Sequence, residues 1–137
     1  MHFVLSHGKE HLPAVLEGNS AALDSLFSER MMGWGLPIIH DEGGTYGLFD
    51  DLTPCIQPHI AYALIPTAVA IAERQSEEES IDCALWLLLT LVEATQTTEV
   101  HPGLSRAFPA LLALASPFGP VMGSTLTAIR KHYRNAV

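Results

Sequence analysis

The stretch from Ile81 to Val92 limits the possible folds of this chain more than any other feature. Its apolar residues recur every three or four positions, which is the spacing of one helix face, and further apolar residues fill the other sides. The first set is Ile81, Ala84, Leu85, Leu88, Leu91 and Val92, and the second is Trp86, Leu87 and Leu89. Because a helix that is apolar all round must be enclosed, the sequence predicts a central helix over about Glu77 to Thr95.

Two short helices are predicted between His11 and Met32, with a break at Gly18-Asn19. Asn19 or Ser20 is placed to cap the second helix, since Asn and Ser side chains accept hydrogen bonds from exposed backbone N–H groups at a helix start. The second helix carries its apolar residues on one face, namely Leu23, Leu26 and Phe27.

The central helix has a predicted helical neighbour on either side along the chain. Ile56 to Arg74 is helical by its spacing, with Pro66 expected to kink or restart it. Ser76 to Glu79 has the Ser-x-x-Glu pattern of a capping box, which places the start of the central helix there. Pro102 suits a first helical turn, whereas Pro109 predicts either a kink or two short turns between Leu104 and Ala115.

The last predicted helix has Met122, Leu126, Ile129 and Tyr133 on one face. Basic residues near its end, Arg130, Lys131 and Arg134, suit the negative end of the helix dipole. We therefore expect one all-α domain over 1–137, built as a compact antiparallel helical bundle or as HEAT-like stacked helix pairs. Five glycines break the helical pattern in 33–54, which predicts a long Gly-rich loop or a small β-hairpin pairing 37–40 with 45–48.

The formal charge is −8 at pH 7, and all 15 acidic residues lie at or before Glu99. An acidic body disfavours sequence-independent nucleic-acid binding and suits a basic protein surface. The uncharged run from Ala107 to Ile129 has the length of a membrane span, but its prolines and glycines favour two short packed helices. Without a secretory signal, a cytoplasmic location is the default expectation. Cys55 and Cys83 are expected to be free and buried.

Candidate catalytic and metal-binding patterns are few. His7 to His11 has the H-x-x-E-H order of an inverted zinc-protease helix, but Gly8 and Pro13 disfavour the helix that this chemistry needs. His59, His101 and His132 have no partner at metal-ligand spacing, which favours ordinary hydrogen-bonded histidines. The sequence therefore predicts no catalytic residue, no bound metal and no cofactor.

A partner-binding surface is the stronger prediction. Aromatic side chains supply contact area at low entropic cost, and acids select basic partners. Residues of both kinds occur in the 33–54 segment, and Glu99 is a further candidate. The predicted partner-binding residues are Trp34, Asp41, Glu42, Tyr46, Phe49, Asp50, Asp51 and Glu99.

The C-terminal part of the chain resembles small helical immunity proteins of bacterial polymorphic toxin and type VI secretion systems. The residues that carry the resemblance are 85–88, the stretch 92–102 with its Thr-Thr-Glu-x-x-Pro turn, and 131–134. The resemblance implies a cytoplasmic protein that binds a cognate toxin, masks its active site and catalyses no reaction. Glu99 would then lie in the interface, or alternatively cap the helix that starts at Pro102.

Two other functions stay open at the level of sequence. One is a non-enzymatic helical adaptor or a homo-oligomer that pairs through its apolar faces. The other is a small metal-dependent hydrolase that uses His40, Asp41, Asp50 and Asp51, although these residues match no known catalytic spacing.

Overall fold

All regular secondary structure is helical in the residues that the computed structural model describes, which are 9–32, 52, 54–134 and 136–137. The helices are α1 (Leu12–Leu16), α2 (Ser20–Met32), α3 (Pro58–Glu73), α4 (Glu78–Ala94), α5 (Pro102–Ala115) and α6 (Pro120–His132). Short 3₁₀ turns precede α1 at Lys9–His11 and follow α5 at Ser116–Phe118. The all-α prediction is confirmed. The predicted loop or hairpin lies, apart from Leu52 and Pro54, outside the described residues.

The break between α1 and α2 falls where the sequence predicts it. Gly18 has a φ of +93°, a left-handed conformation that costs glycine little. The side-chain oxygen of Asn19 accepts a hydrogen bond of 3.0 Å from the backbone N–H of Ala22, so Asn19 rather than Ser20 caps α2. The three predicted apolar residues of α2 are all buried.

Proline lies inside two of the helices without interrupting either one. Helix α3 continues through Pro66, and α5 continues through Pro109. Both prolines are exposed, and the Pro66 ring lies near Gly103 at the start of α5. The predictions of a restart at Pro66 and of two separate turns around Pro109 are therefore wrong, because the apolar faces on both sides of each proline pack on one continuous core.

The start of α4 differs from the predicted capping box. Glu77 is the N-cap residue and makes no side-chain capping hydrogen bond. Ser76 lies one residue too early to act as the cap, and the Ser80 hydroxyl instead donates to the carbonyl of Glu77 at 3.0 Å. The two glutamates that follow, Glu78 and Glu79, lie in the first turn, where the helix dipole favours negative charge.

Helix α4 is the centre of the core, as its sequence predicts. All of its predicted apolar residues are buried except Trp86, which is partly exposed. Fully burying one Leu or Ile side chain contributes roughly 1.5–3 kcal/mol. Because α4 buries such residues on nearly every side, its neighbours are held in place mainly by contact with it.

The helices from α3 onward form two antiparallel pairs that stack on each other. Helix α3 packs against α4, and α5 packs against α6. Across the two pairs, α5 lies on α3 and α6 lies on α4, while α2 packs on the other side of α3. In consequence the starts of α3 and α5 and the ends of α4 and α6 lie at the same end of the stack.

The uncharged run from Ala107 to Ile129 is divided between α5 and α6. Gly119, with a φ of +90°, and Pro120 separate the two helices. Within the described part of the chain, every helix is too short or too polar to cross a bilayer. The prediction of two short packed helices is confirmed.

The cysteines differ in exposure. Neither forms a disulfide bond, and Cys83 is buried in α4 whereas Cys55 is exposed ahead of α3. The prediction that both are buried is wrong for Cys55. Cys55 lies in the turn that follows Leu52, and the next residue, Ile56, is the one whose side chain is buried in the core.

Candidate functional site

Of the predicted partner-binding residues, only Glu99 lies among those that the structure describes. The remaining seven, Trp34, Asp41, Glu42, Tyr46, Phe49, Asp50 and Asp51, lie outside the described residues, as does His40 of the alternative hydrolase site.

Glu99 belongs to the linker between α4 and α5, residues 95–101, which ties together the ends of all four stacked helices. The Thr95 hydroxyl donates to the Val92 carbonyl at 2.6 Å, which closes the end of α4. The Thr97 carbonyl lies 2.8 Å from Nε2 of His132, in the last turn of α6. One carboxylate oxygen of Glu99 accepts a 3.3 Å hydrogen bond from the Tyr62 hydroxyl of α3.

His101, rather than Glu99, caps α5. Its Nδ1 accepts a 2.9 Å hydrogen bond from the backbone N–H of Gly103, and its ring lies 4.9 Å from that of Tyr62. An Nδ1 that accepts carries no proton, so a neutral His101 holds its proton on Nε2. The alternative in which Glu99 caps this helix is therefore wrong, and the Glu99 carboxylate stays exposed at the surface.

A shallow cleft of about 300 Å³ opens beside Glu99 and is lined by Pro58, His59, Tyr62, Thr95, Thr97 and Glu99. Desolvation and then the Glu99 carboxylate raise the pKa of Tyr62. Close to Tyr62, Tyr133 is 1% exposed, and its hydroxyl has no hydrogen-bond partner among the described residues. Burial, and to a smaller extent Tyr62, raise the pKa of Tyr133 to about 12. Both phenols therefore stay neutral near pH 7, so Glu99 carries the negative charge of this cleft.

The opposite end of the stack is strongly acidic. Between the end of α3 and the second turn of α4 the chain carries five carboxylates, here called the acidic end: Glu73, Glu77, Glu78, Glu79 and Asp82. Arg74 is the only basic residue in that stretch, and it forms a 2.6 Å ion pair with Asp24 of α2. The four glutamates are exposed, which leaves a concentrated negative charge facing solvent.

An apolar groove adjoins the acidic end. It has a volume of about 450 Å³ and is lined by Asp82, Trp86, Val121, Ser124 and Thr125. Because α4 places every fourth residue on one face, Glu78 and Asp82 lead along the helix directly to Trp86. Val121, at the start of α6, is 84% exposed. We call this feature the α4–α6 groove.

The α4–α6 groove is not apparent from the sequence. The apolar neighbours of Trp86 in α4 favour a core position for it, and Val121 lies in no recognisable motif. Only the stacking of α6 on α4 brings these residues together. One hint was present, since Trp86 lies four residues after Asp82 and eight after Glu78.

Positive charge collects at the end of the stack that carries Glu99. Arg130 and Lys131 lie in the last turn of α6, whose His132 contacts the Thr97 carbonyl. The Arg130 guanidinium also lies 5.1 Å from the centre of the Phe108 ring. Because α4 is about 25 Å long, the acidic and basic groups are held far apart, and the described part of the molecule is dipolar.

Comparisons with known proteins add no identification. A scan against protein-family models, a search of curated proteins and a search of solved structures each found no match.

Proposed function

We propose that this chain is an immunity-type inhibitor that binds a cognate protein toxin in the cytoplasm. The toxin presents a basic surface, and the acidic end and the α4–α6 groove cover its active site. The chain itself catalyses no reaction. The resemblance of the C-terminal part to immunity proteins supports this proposal independently of the charge.

The observation that carries the proposal is the position of the acidic end beside an exposed apolar groove. Strong protein interfaces combine a few aromatic or aliphatic anchors with a polar rim. Trp86 and Val121 are suited to be such anchors, and the exposed glutamates form a negative rim on one side of them. A basic partner with one apolar side chain is the complementary surface.

The charge distribution also favours rapid binding. A dipolar molecule turns its negative end toward a positive surface before contact, and such steering raises association rates at low ionic strength. Toxins that act on nucleic acids or nucleotides need positive charge to hold phosphates. An acidic inhibitor therefore fits the active site of a toxin of this class.

Reversal of charge at the acidic end tests the proposal. The double variant Glu78→Lys/Glu79→Lys is compared with Glu17→Lys/Glu93→Lys, which makes the same change in net charge at exposed glutamates elsewhere. We expect the first variant to lose at least about tenfold in affinity for the isolated partner at low salt. The control should lose much less. Circular dichroism verifies that both variants are folded, because reversal in the first turn of α4 also weakens a favourable dipole interaction.

The partner is obtained from a lysate of the source cell with tagged protein, at low and at high salt, and is identified by mass spectrometry. The proposal requires a stoichiometric partner with a basic domain whose toxicity in cells is relieved by the wild-type chain and not by the acidic-end variant. Recovery of the chain alone, as a stable oligomer, would instead support the adaptor or homo-oligomer function. Equal loss of affinity in both double variants would contradict the role of the acidic end.

The segment outside the described residues is tested in the same assay. Charge reversal at Asp41, Glu42, Asp50 and Asp51 tests whether the predicted loop contributes to the affinity for the partner. Glu99→Lys tests the same for the cleft at the end of the stack opposite the acidic end. If the loop variant alone abolishes binding, the toxin is bound by that segment and not by the α4–α6 groove.

A further inference from the structure

We propose that Glu10, His11 and Glu29 bind one divalent transition-metal ion, with Zn²⁺ as the best fit. The 3₁₀ turn Lys9–His11 packs against α2 and brings Glu10 and His11 beside Glu29. One possible ligand atom from each residue lies within 4.8 Å of the others. The inference is independent of the proposed inhibitor function.

The three side chains are close enough to converge on one ion. Nε2 of His11 lies 2.6 Å from a carboxylate oxygen of Glu29, a hydrogen-bond distance, so a bound ion would replace this hydrogen bond and move the two atoms apart. Three atoms within 4.8 Å of one another have a point within about 2.8 Å of all of them, compared with roughly 2.0–2.2 Å for zinc–nitrogen and zinc–oxygen bonds. Glu10 is exposed, and His11 and Glu29 are partly exposed, so small side-chain rotations suffice to close the difference.

The kinds of ligand select the class of ion. One imidazole nitrogen with two carboxylate oxygens suits zinc and similar transition metals, whereas magnesium and calcium prefer oxygen ligands alone. Two carboxylates are held beside one imidazole, and a divalent cation would accept one ligand atom from each of the three groups. Water would fill the coordination positions that the protein leaves open.

This site differs from the zinc-protease pattern in the sequence. That pattern needs His7 and His11 on one face of a helix and lacks a third ligand. The structure instead places Glu10 and His11 on a short turn and provides Glu29 from α2, 18 residues from His11. A bound ion would therefore fasten the turn before α1 to α2, a structural role without hydrolysis.

Zinc titration of the tag-free full chain, in competition with a chromophoric chelator, tests the proposal. We expect about one Zn²⁺ per chain and a rise in melting temperature on zinc addition. His11→Ala and Glu29→Gln should each lower the affinity at least about tenfold, since loss of mere supporting contacts already costs metal sites about 10–100-fold. The matched controls His59→Ala and Glu93→Gln remove exposed groups elsewhere and should leave the affinity unchanged.

Two results would overturn the proposal. One is zinc binding that is substoichiometric or unaffected by both ligand variants, which would leave an ordinary His–Glu ion pair. The other is equal binding of Ca²⁺, Mg²⁺ and Zn²⁺, which would mean that the imidazole takes no part. Circular dichroism of each variant without metal excludes unfolding as the cause of lost affinity, and Glu29→Gln keeps the size of the side chain.

Discussion

Tyr133 is a residue whose polar group fits its surroundings poorly. Its ring belongs to the core, but its buried hydroxyl has no hydrogen-bond partner in the part of the chain that the structure describes. Burying such a group without a partner costs about 1–3 kcal/mol. We therefore expect Tyr133→Phe to leave the free energy of unfolding unchanged or to raise it by about 1 kcal/mol, as measured by urea denaturation. A loss of more than about 1 kcal/mol would mean that the hydroxyl is satisfied. Tyr62→Phe, which removes a hydroxyl that is hydrogen-bonded to Glu99, is the comparison and should not raise the free energy of unfolding.

Tyr133 also makes stability depend on pH in the alkaline range. Its pKa is raised from 10.0 in the unfolded chain to about 12 in the folded chain, mainly by burial. Between these values the unfolded chain releases the phenolic proton and the folded chain keeps it. Ionisation of this phenol therefore leaves stability unchanged below pH 10 and lowers it as the pH rises toward 12.

Urea midpoints measured from pH 9 to pH 12 test this dependence. The decline should be shallower in Tyr133→Phe than in the wild-type chain, because the variant has no phenol to ionise at this position. Parallel curves for the two proteins would show that Tyr133 titrates normally.

Single residues show where sequence reasoning succeeds and where it fails. The Asn19 cap was predictable because its hydrogen bond is local, three residues along the chain. The assignment of the α5 cap to His101 was not, since Glu99 lies only two residues before His101 and is drawn away by Tyr62, 37 residues distant. Local chemistry can be read from the sequence, whereas competition between local and distant partners cannot.

At the scale of elements, the boundaries of α4 followed from apolar spacing to within one residue. Three predictions were wrong: a helix restart at Pro66, two separate turns around Pro109 and a capping box at Ser76 to Glu79. Proline normally breaks helices because it lacks an N–H donor and clashes with the preceding turn. Here the apolar residues on both sides of each proline are buried on the same core, and that packing outweighs the local cost. The sequence shows the proline but not the packing.

Because α4 lies at the centre of the core, its buried leucines should contribute more to stability than exposed leucines of other helices. Leu88 is 0% exposed in the middle of the helix, whereas Leu112 of α5 is 39% exposed. Leu88→Ala should lower the free energy of unfolding by about 2–5 kcal/mol, through lost burial and the cavity that it leaves. Leu112→Ala should lower it by less than about 1 kcal/mol. Chemical denaturation measures both values, and similar losses would mean that α4 is not the main support of the core.

At the scale of the whole molecule, the distance between the acidic and the basic groups is more important for partner binding than the net charge is. The sequence predicts an acidic body and a basic tail, but it does not predict which ends of the helices meet. Stacking of the two helix pairs leaves the acidic end at one extreme, and the end of α6 near Thr97 at the other. The partner-binding residues predicted in 33–54 stay a prediction, because that segment lies outside the described residues.

This arrangement makes the effect of the acidic-end variant depend on ionic strength. The affinity difference between Glu78→Lys/Glu79→Lys and its control should shrink as salt rises, because the Debye length falls from about 10 Å at 0.1 M to about 3 Å at 1 M. Association rates by surface plasmon resonance should show most of this change. A difference that persists at 1 M salt would point to direct packing by these side chains and not to electrostatic steering.

The linker between α4 and α5 has a consequence for the order of folding. Each antiparallel helix pair joins neighbours in sequence, whereas the linker contacts of Tyr62 with Glu99 and of Thr97 with His132 span 37 and 35 residues. Closing a longer loop costs more conformational entropy, and contacts distant in sequence slow the search. The two pairs should therefore assemble first and dock afterwards, so that the end of the stack holding Glu99 is the last part of the core to close and the first to open.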